Sequence, residues 1–311
     1  VNSIRSELNS LVISEFRSRK ASSAGLFSVL WNIFLAALCA LLCEQLVLIF
    51  PESALVLRSL AVIFIGTRWR ALGNMMHECA HGIFVEKALD NTFFGYLISA
   101  IELSDFQEYV KQHVSHHAYL GHPERDLDYK SRRIFLDSRR PYFLQISRIL
   151  CLCAALVPLW LQTFRPVAWS RSCPRWCNNL RAVLLGVLLF ALLIPATQLY
   201  IALYLVLPYI TTYQWMKIFS DSADHLFLYG KEDLLERSRN HLLPSAFLNW
   251  LLFPRNDAYH LLHHLFPSLP THHYPRAHSI LLQHPWYRNR KHHFIGWDVS
   301  SPLPEVASGP K

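Results

Sequence analysis

The sequence predicts an all-α integral membrane protein: four transmembrane helices carrying a histidine-rich helical cap on the cytoplasmic side, with further helices in the membrane interface. Three observations lead there. Of 311 residues, 52% are hydrophobic and only 17% charged, a composition too apolar for an ordinary soluble domain. The apolar residues gather in segments long enough to cross a hydrocarbon core, which needs about 20 residues. The 17 histidines concentrate in three short boxes beside those segments: His77 with His81, His113 with His116 and His117, and His260 with His263 and His264.

Residues 1–23 are polar, with Arg5, Arg17, Arg19 and Lys20, and read as an amphipathic cytoplasmic leader. Ala24 to Phe50 is the first span, ended by Pro51. A second helix begins near Ser53 and runs without a break past Trp69 to His77. At ~1.5 Å per residue it carries the first box about 14 to 20 Å beyond Arg68, outside the bilayer. Asn91 to Ile101 is apolar but too short to span, and Tyr142 to Phe164 is interrupted by Gln145, Arg148 and Pro158, so both are read as interfacial helices. Leu180 to Phe219, broken around Pro195, supplies two more spans. An even number of spans between boxes two and three keeps them on one face. The connection after the first span carries Glu52 and little else, whereas the leader and Lys111 to Arg140 are rich in Lys and Arg, so the boxes and both termini are placed in the cytoplasm. The expected organisation is a leader (1–23), a membrane domain (24–284) and a polar, partly disordered tail (285–311).

A net charge of +8 and a pI near 9.2 raise the question of nucleic acid, but no nucleic-acid motif accompanies them. The basic residues flank apolar segments, which points to anionic membrane lipid. Arg132, Arg133, Arg139 and Arg140 suit a headgroup-contacting face, or a dock for an acidic electron donor or acyl carrier. The seven cysteines lie mostly in or beside apolar segments, and Cys173 with Cys177 has no matching second pair, so neither a disulfide framework nor a cysteine metal site is expected. No cleavable signal peptide is apparent. Val1 reads as a bacterial alternative start codon, which places the expected location in a bacterial inner membrane. Outside the boxes, His122, His241, His272, His273, His278, His284, His292 and His293 are expected at the surface or interface.

Histidines at i, i+3 and i+4 share one helix face and can turn one ring nitrogen each toward a metal. His77-Glu78-Cys79-Ala80-His81 also fits HExxH, in which two histidines bind zinc and the Glu is the general base. An intramembrane zinc protease is therefore a reading from another class. It needs three protein ligands and leaves boxes two and three unexplained. Eight or nine imidazoles fit two metals, and imidazole ligation without sulfur in a membrane setting favours iron. A metal-binding protein without activity is a third possibility.

HxxxH, HxxHH and HxxHH in this order, with two spans between the second and third, resemble the integral-membrane fatty acid desaturase and hydroxylase superfamily over roughly Ala24 to His284. His264-Leu-Phe-Pro-Ser-Leu-Pro270 is similar to the desaturase ending of the third box, and Asp221-Ser-Ala-Asp-His225 resembles the segment that supplies a ninth histidine. The resemblance implies a cytoplasm-facing di-iron centre that uses O2 and two electrons to abstract hydrogen from an unactivated C–H bond. Its ligands would be His77, His81, His113, His116, His117, His225, His260, His263 and His264, with Asp221 as a further candidate where stearoyl-CoA desaturases carry Asn. Glu78 and Asp224 are candidate outer partners of the imidazoles, and Asn256 a candidate support of the third box or a helix cap. Leu262 stands where many bacterial relatives place Glu. The implied activity is desaturation of an acyl chain on lipid, CoA or acyl carrier protein. Desaturation of a small secondary metabolite, of the dihydrorhizobitoxine type, and C–H hydroxylation are the alternatives. With no fused cytochrome b5 segment, electrons are expected from a separate donor of ferredoxin or cytochrome b5 type.

Overall fold

The computed structural model is mostly helical and describes residues 24–129, 167, 169–225, 233–289 and 293–295, with Glu7, Leu8, Ser10, Val12, Phe16, Leu228, Tyr229 and Lys231. The expected interfacial segment Tyr142 to Phe164 and the basic run Arg132 to Arg140 lie outside the described residues. The chain divides into two units, residues 22–111 with 152–218, and residues 1–21 with 112–151 and 219–311.

The first unit contains α1 (Gly25–Ile49), α2 (Ala54–Ala80), α3 (Ala88–Ile101), the start of α4 (Phe106–Tyr119), α5 (Arg175–Leu192), α6 (Pro195–Ile201), α7 (Leu207–Ile210) and the start of α8 (Thr212–His225). Pro51 ends α1 as expected and opens a single 3-10 turn, where its missing N–H would have had no partner anyway. Among the described residues, α1 and α5 are long and apolar enough to cross a membrane. Leu26, Phe27, Leu41 and Leu48 of α1, and Val187, Leu189 and Phe190 of α5, are exposed. Water would penalise such surface by ~25 cal/mol per Å² and lipid would not, which sets these helices apart from the buried core helix of a soluble protein.

The other two expected spans are helical but less uniform. α2 carries Arg58, whose Nε and Nη2 donate to the Glu44 carboxylate of α1 at 2.9 and 2.8 Å; the Tyr204 hydroxyl also reaches Glu44. The last expected span is a series of short helical pieces. Pro208 has no N–H to return to the carbonyl one turn earlier, and a π turn at Ala202–Val206 directly precedes it. Gly66 lets α2 and α8 approach closely, since a Cβ there would lie 2.0 Å from Thr212 Oγ1.

α2 continues unbroken through the first box, as the sequence predicts. The loop after it is fixed by Asn91, whose Oδ1 accepts from the Phe84 and Val85 N–H groups while Nδ2 donates to the Val85 and Lys87 carbonyls. Leu72, Met75, Met76 and Cys79 of α2 pack with Phe84, Tyr96, Ile98 and Phe106 in this unit's core.

In the second unit, β1 (Asn240–Leu242) and β2 (His293–Ile295) pair in parallel around α9 (Ala246–Leu252), α10 (His260–Leu265), α11 (Tyr274–Leu281) and α12 (Pro285–Arg288). Leu8, Val12 and Phe16 of the leader, spaced by four, pack on Leu261, Leu262, Leu265 and Leu269, so the leader's apolar stripe covers the back of the third box. Part of the polar tail is ordered. Tyr287 is fully buried, its hydroxyl accepting from Asn240 Nδ2 at 2.8 Å and bonding His278 Nδ1 at 2.9 Å, and residues 293–295 form β2. His241 and His273, expected at the surface, are buried, and His241 is a member of β1, where its ring lies against Phe253.

Candidate metal centre

Helical spacing alone turns the members of each box to one side. His113, His116 and His117 stand on α4, His260, His263 and His264 on α10, and His225 ends α8. Within the second unit their imidazoles sort into two groups.

His116, His225, His260 and His264 are all buried, and one nitrogen of each lies within 4.8 Å of the others. His225 Nε2 is 3.2 Å from His116 Nε2 and 2.9 Å from His260 Nε2, and His264 Nε2 is 3.1 Å from His260 Nε2. Three of these rings are held from outside by groups that only accept. His116 Nδ1 meets Asp126 Oδ2 at 3.0 Å, His225 Nδ1 meets the Arg237 carbonyl at 2.7 Å, and His260 Nδ1 meets Asp224 Oδ2 at 3.3 Å. A carboxylate or carbonyl requires the proton on Nδ1, so each Nε2 turns a lone pair inward.

Two unprotonated nitrogens 2.9 Å apart cannot hydrogen-bond to each other, and a cation that both can ligate resolves the conflict. Burial, reinforced by His116, lowers the His225 pKa well below the usual imidazole value, and burial reinforced by His117, His260, His116 and His225 does the same for His264. A shared proton is therefore disfavoured, and neutral imidazole is the form that ligates. The donor set fits a divalent transition metal such as iron.

The second group is His113, His117 and His263. His117 Nε2 lies 3.1 Å from His113 Nε2 and 2.9 Å from His263 Nε2, and His263 Nδ1 bonds the Tyr274 hydroxyl at 3.1 Å. In the first unit, His77 and His81 stand on adjacent turns at the end of α2, ring centroids 5.0 Å apart, and burial pushes His81 down to about 4. Glu78 beside them is 1% exposed.

Asp221, one turn before His225 on α8, belongs to neither group of converging nitrogens. Asp224, expected as an outer partner, meets His260 as described. Asn256 does not cap α10, whose N-cap is Tyr259 with no side-chain cap bond; its Nδ2 donates to the Thr271 carbonyl at 2.9 Å.

Sequence reasoning missed Asp126, which is fully buried. Besides His116, its carboxylate accepts from the N–H groups of Gly121, Asp128 and Tyr129 at 2.8, 3.1 and 2.9 Å. Burial alone would raise this carboxyl, but the bonds from His116, Tyr129 and Gly121 hold it below the ordinary value. Its signal was an acid in a short loop after the second box. Tyr274 and the Arg237 carbonyl were missed too, and a backbone carbonyl leaves no mark on a sequence.

Known proteins bear on this geometry. The chain is 28% identical over 255 residues to a dihydrorhizobitoxine desaturase of Bradyrhizobium elkanii, covering 73% of this chain and 68% of that one. It is 26% identical over 246 residues to a chloroplastic omega-3 fatty acid desaturase of Brassica napus, covering 68% of this chain and 57% of the relative. A family model described as fatty acid desaturase matches residues 53–296, a stretch that starts at the foot of α2 and includes all three boxes and His225. The chain belongs to the fatty acid desaturase family.

Proposed function

We propose that the chain is a membrane desaturase whose nine histidines His77, His81, His113, His116, His117, His225, His260, His263 and His264 hold two irons, one of them through His116, His225, His260 and His264. The observation that carries this reading is the convergence of His225 with boxes two and three, lone pairs inward. A zinc protease built on His77, Glu78 and His81 has no use for that convergence. When bound, the irons would supply reductive activation of O2 for removing hydrogen from a C–H bond. The chain's own groups do the rest. Asp126, Asp224 and the Arg237 carbonyl fix the ring orientations, and the buried setting keeps the imidazoles unprotonated.

The reaction proposed is double-bond formation in an acyl chain, supported by the LFPSLP ending of the third box and by family membership. A second reading, a small-metabolite substrate, is favoured by the likeness to dihydrorhizobitoxine desaturase. Hydroxylation shares the same first step. Electrons come from a separate one-electron donor of ferredoxin or cytochrome b5 type. The protein spans a bacterial inner membrane four times, with the histidines and both termini in the cytoplasm; the apolar exposed faces of α1 and α5 support the membrane assignment.

Metal analysis of the detergent-purified protein tests the centre. About two irons per chain, lost on His117→Ala or His264→Ala, are expected. One zinc per chain that survives those changes and is lost only with His77→Ala would sink the proposal. Product analysis of lipids against small metabolites, with reductant and O2, then separates the two substrate readings.

A further inference from the structure

We propose that Glu102 is a proton-holding carboxyl that feeds the desaturase centre, its proton passed on through the Tyr213 hydroxyl; the inference rests on the desaturase reading above. Desaturation consumes protons: –CH2–CH2– + O2 + 2 electrons + 2 H⁺ gives –CH=CH– + 2 H2O. O2 is the oxidant, the one-electron donor protein is the reductant, and both protons must reach a buried centre from solvent.

Glu102 lies in the turn between α3 and α4 and is 2% exposed. The next residue, Leu103, has φ of 50°, a left-handed conformation that leucine seldom adopts. Two helices and a loop residue hold the turn there. The Val167 N–H donates to the Leu103 carbonyl at 2.6 Å, the Tyr209 hydroxyl to the Glu102 carbonyl, and Arg181 Nη2 to the Ser104 carbonyl. An unfavourable backbone fixed by three separate hydrogen bonds is a sign that side-chain direction matters.

The carboxyl points at a place cleared for it. At Gly73 of α2 an added Cβ would lie 3.0 Å from the Tyr213 hydroxyl and 3.4 Å from Glu102 Oε1. Oε1 is buried with no hydrogen-bond partner among the described residues, so it has capacity for a proton or a water. The groups facing Glu102 are Arg70 from α2, Lys217 and Tyr213 from α8, and Tyr209 from α7. Lys217 Nζ stands 5.4 Å from the centre of the Tyr213 ring.

A counter-ion placed only to neutralise Arg70 and Lys217 would titrate below the ordinary carboxylate range. Burial outweighs the pull of Lys217, Tyr213 and Arg70, and Glu102 rises to about 7. It therefore gains and loses its proton near neutral pH, as suits a proton donor. Of the helices that face it, α2 continues to the first-box histidines and α8 to His225. On α2, Gly73 and Arg70 precede His77 by one and two turns, about 6 to 10 Å along the axis. On α8, Tyr213, Lys217, Asp221 and His225 repeat every four residues along one face.

The test compares wild type, Glu102→Gln, Glu102→Asp and Tyr213→Phe, each with iron content measured. Turnover of the wild type is expected to fall as pH rises through about 7, as the acid form is lost. Glu102→Gln and Tyr213→Phe should keep their iron, turn over more slowly by on the order of 100-fold, and lose that limb of the profile; Glu102→Asp should restore both in part. Infrared titration of the metal-free protein gives an independent readout: a protonated-carboxyl band that disappears near pH 7 in wild type and is missing in Glu102→Gln. A Glu102→Gln protein with wild-type turnover and profile would overturn the relay, as would loss of activity only in proportion to lost iron, or no such band in wild type. If wild type itself binds no iron and consumes no O2, the desaturase reading has failed instead.

Discussion

The two histidine groups of the second unit use the same side chain but are held differently. His116, His225 and His260 each give an Nδ1 proton to a carboxylate or a backbone carbonyl, while the outer bond at His263 goes to a phenol. His116 and His264 are buried, whereas His117 is half-buried. A carboxylate makes an imidazole a stronger and more rigid ligand than a neutral hydroxyl does. The first group is therefore the better organised before metal arrives. The second group, held by fewer outer bonds, has more to gain from the metal itself.

Substitutions can break this comparison. The largest effect is expected from His264→Ala, which removes a ligand at the heart of the organised group. Iron should be lost from that position and turnover should fall to background, by more than the ~10–100-fold that an outer partner commands. Asp126→Asn comes next. Asn keeps one accepting oxygen, so it can serve His116 with Gly121 or Asp128 with Tyr129 but not both pairs, and iron affinity should drop within that ~10–100-fold range. Tyr274→Phe should cost only a few-fold. Iron titrations of the two variants decide the matter, and equal losses would mean that the groups are organised alike.

What was legible in the sequence follows a physical pattern. The boxes were readable because helical spacing aligns ligands without any knowledge of the fold, and α1 and the unbroken α2 were readable because length and apolarity suffice. His225 came from resemblance, since a lone histidine at a helix end has no spacing to betray it. Asp126 was not legible, because its role depends on a loop folding back to His116. Nor was the burial of His241, a strand residue whose environment is set by Phe253, distant in sequence. The pairing of Tyr287 through Asn240 and His278 was likewise not legible, because composition cannot reveal it.

The organised group should also announce itself by pH. Burial and neighbouring imidazoles depress His225 and His264 in the folded chain, while in the unfolded chain they return to ~6.5. Below that value the unfolded chain binds more protons, so stability is fully present above pH ~6.5 and is lost as pH falls toward the depressed folded values. Asp126, also depressed, adds a loss at lower pH. Melting temperatures of the metal-free protein should therefore decline below pH ~6.5, and less steeply in His264→Ala. A flat profile would show that these imidazoles are not held neutral by burial.

The smallest effect is expected at Asn256, which sits next to the third box in sequence. Its amide bonds the Thr271 carbonyl and no histidine nitrogen in either group. It also occupies a left-handed conformation, with φ of 60°, that Asn tolerates better than Ala. Asn256→Ala should cost ~1 kcal/mol of stability through the lost bond, and somewhat more through the backbone. Iron affinity should stay within a few-fold of wild type. A loss comparable to that of Asp126→Asn would mean that the third box is held from its N-terminal side as firmly as His116 is held from outside, and the contrast between the two groups would no longer rest on their outer hydrogen bonds.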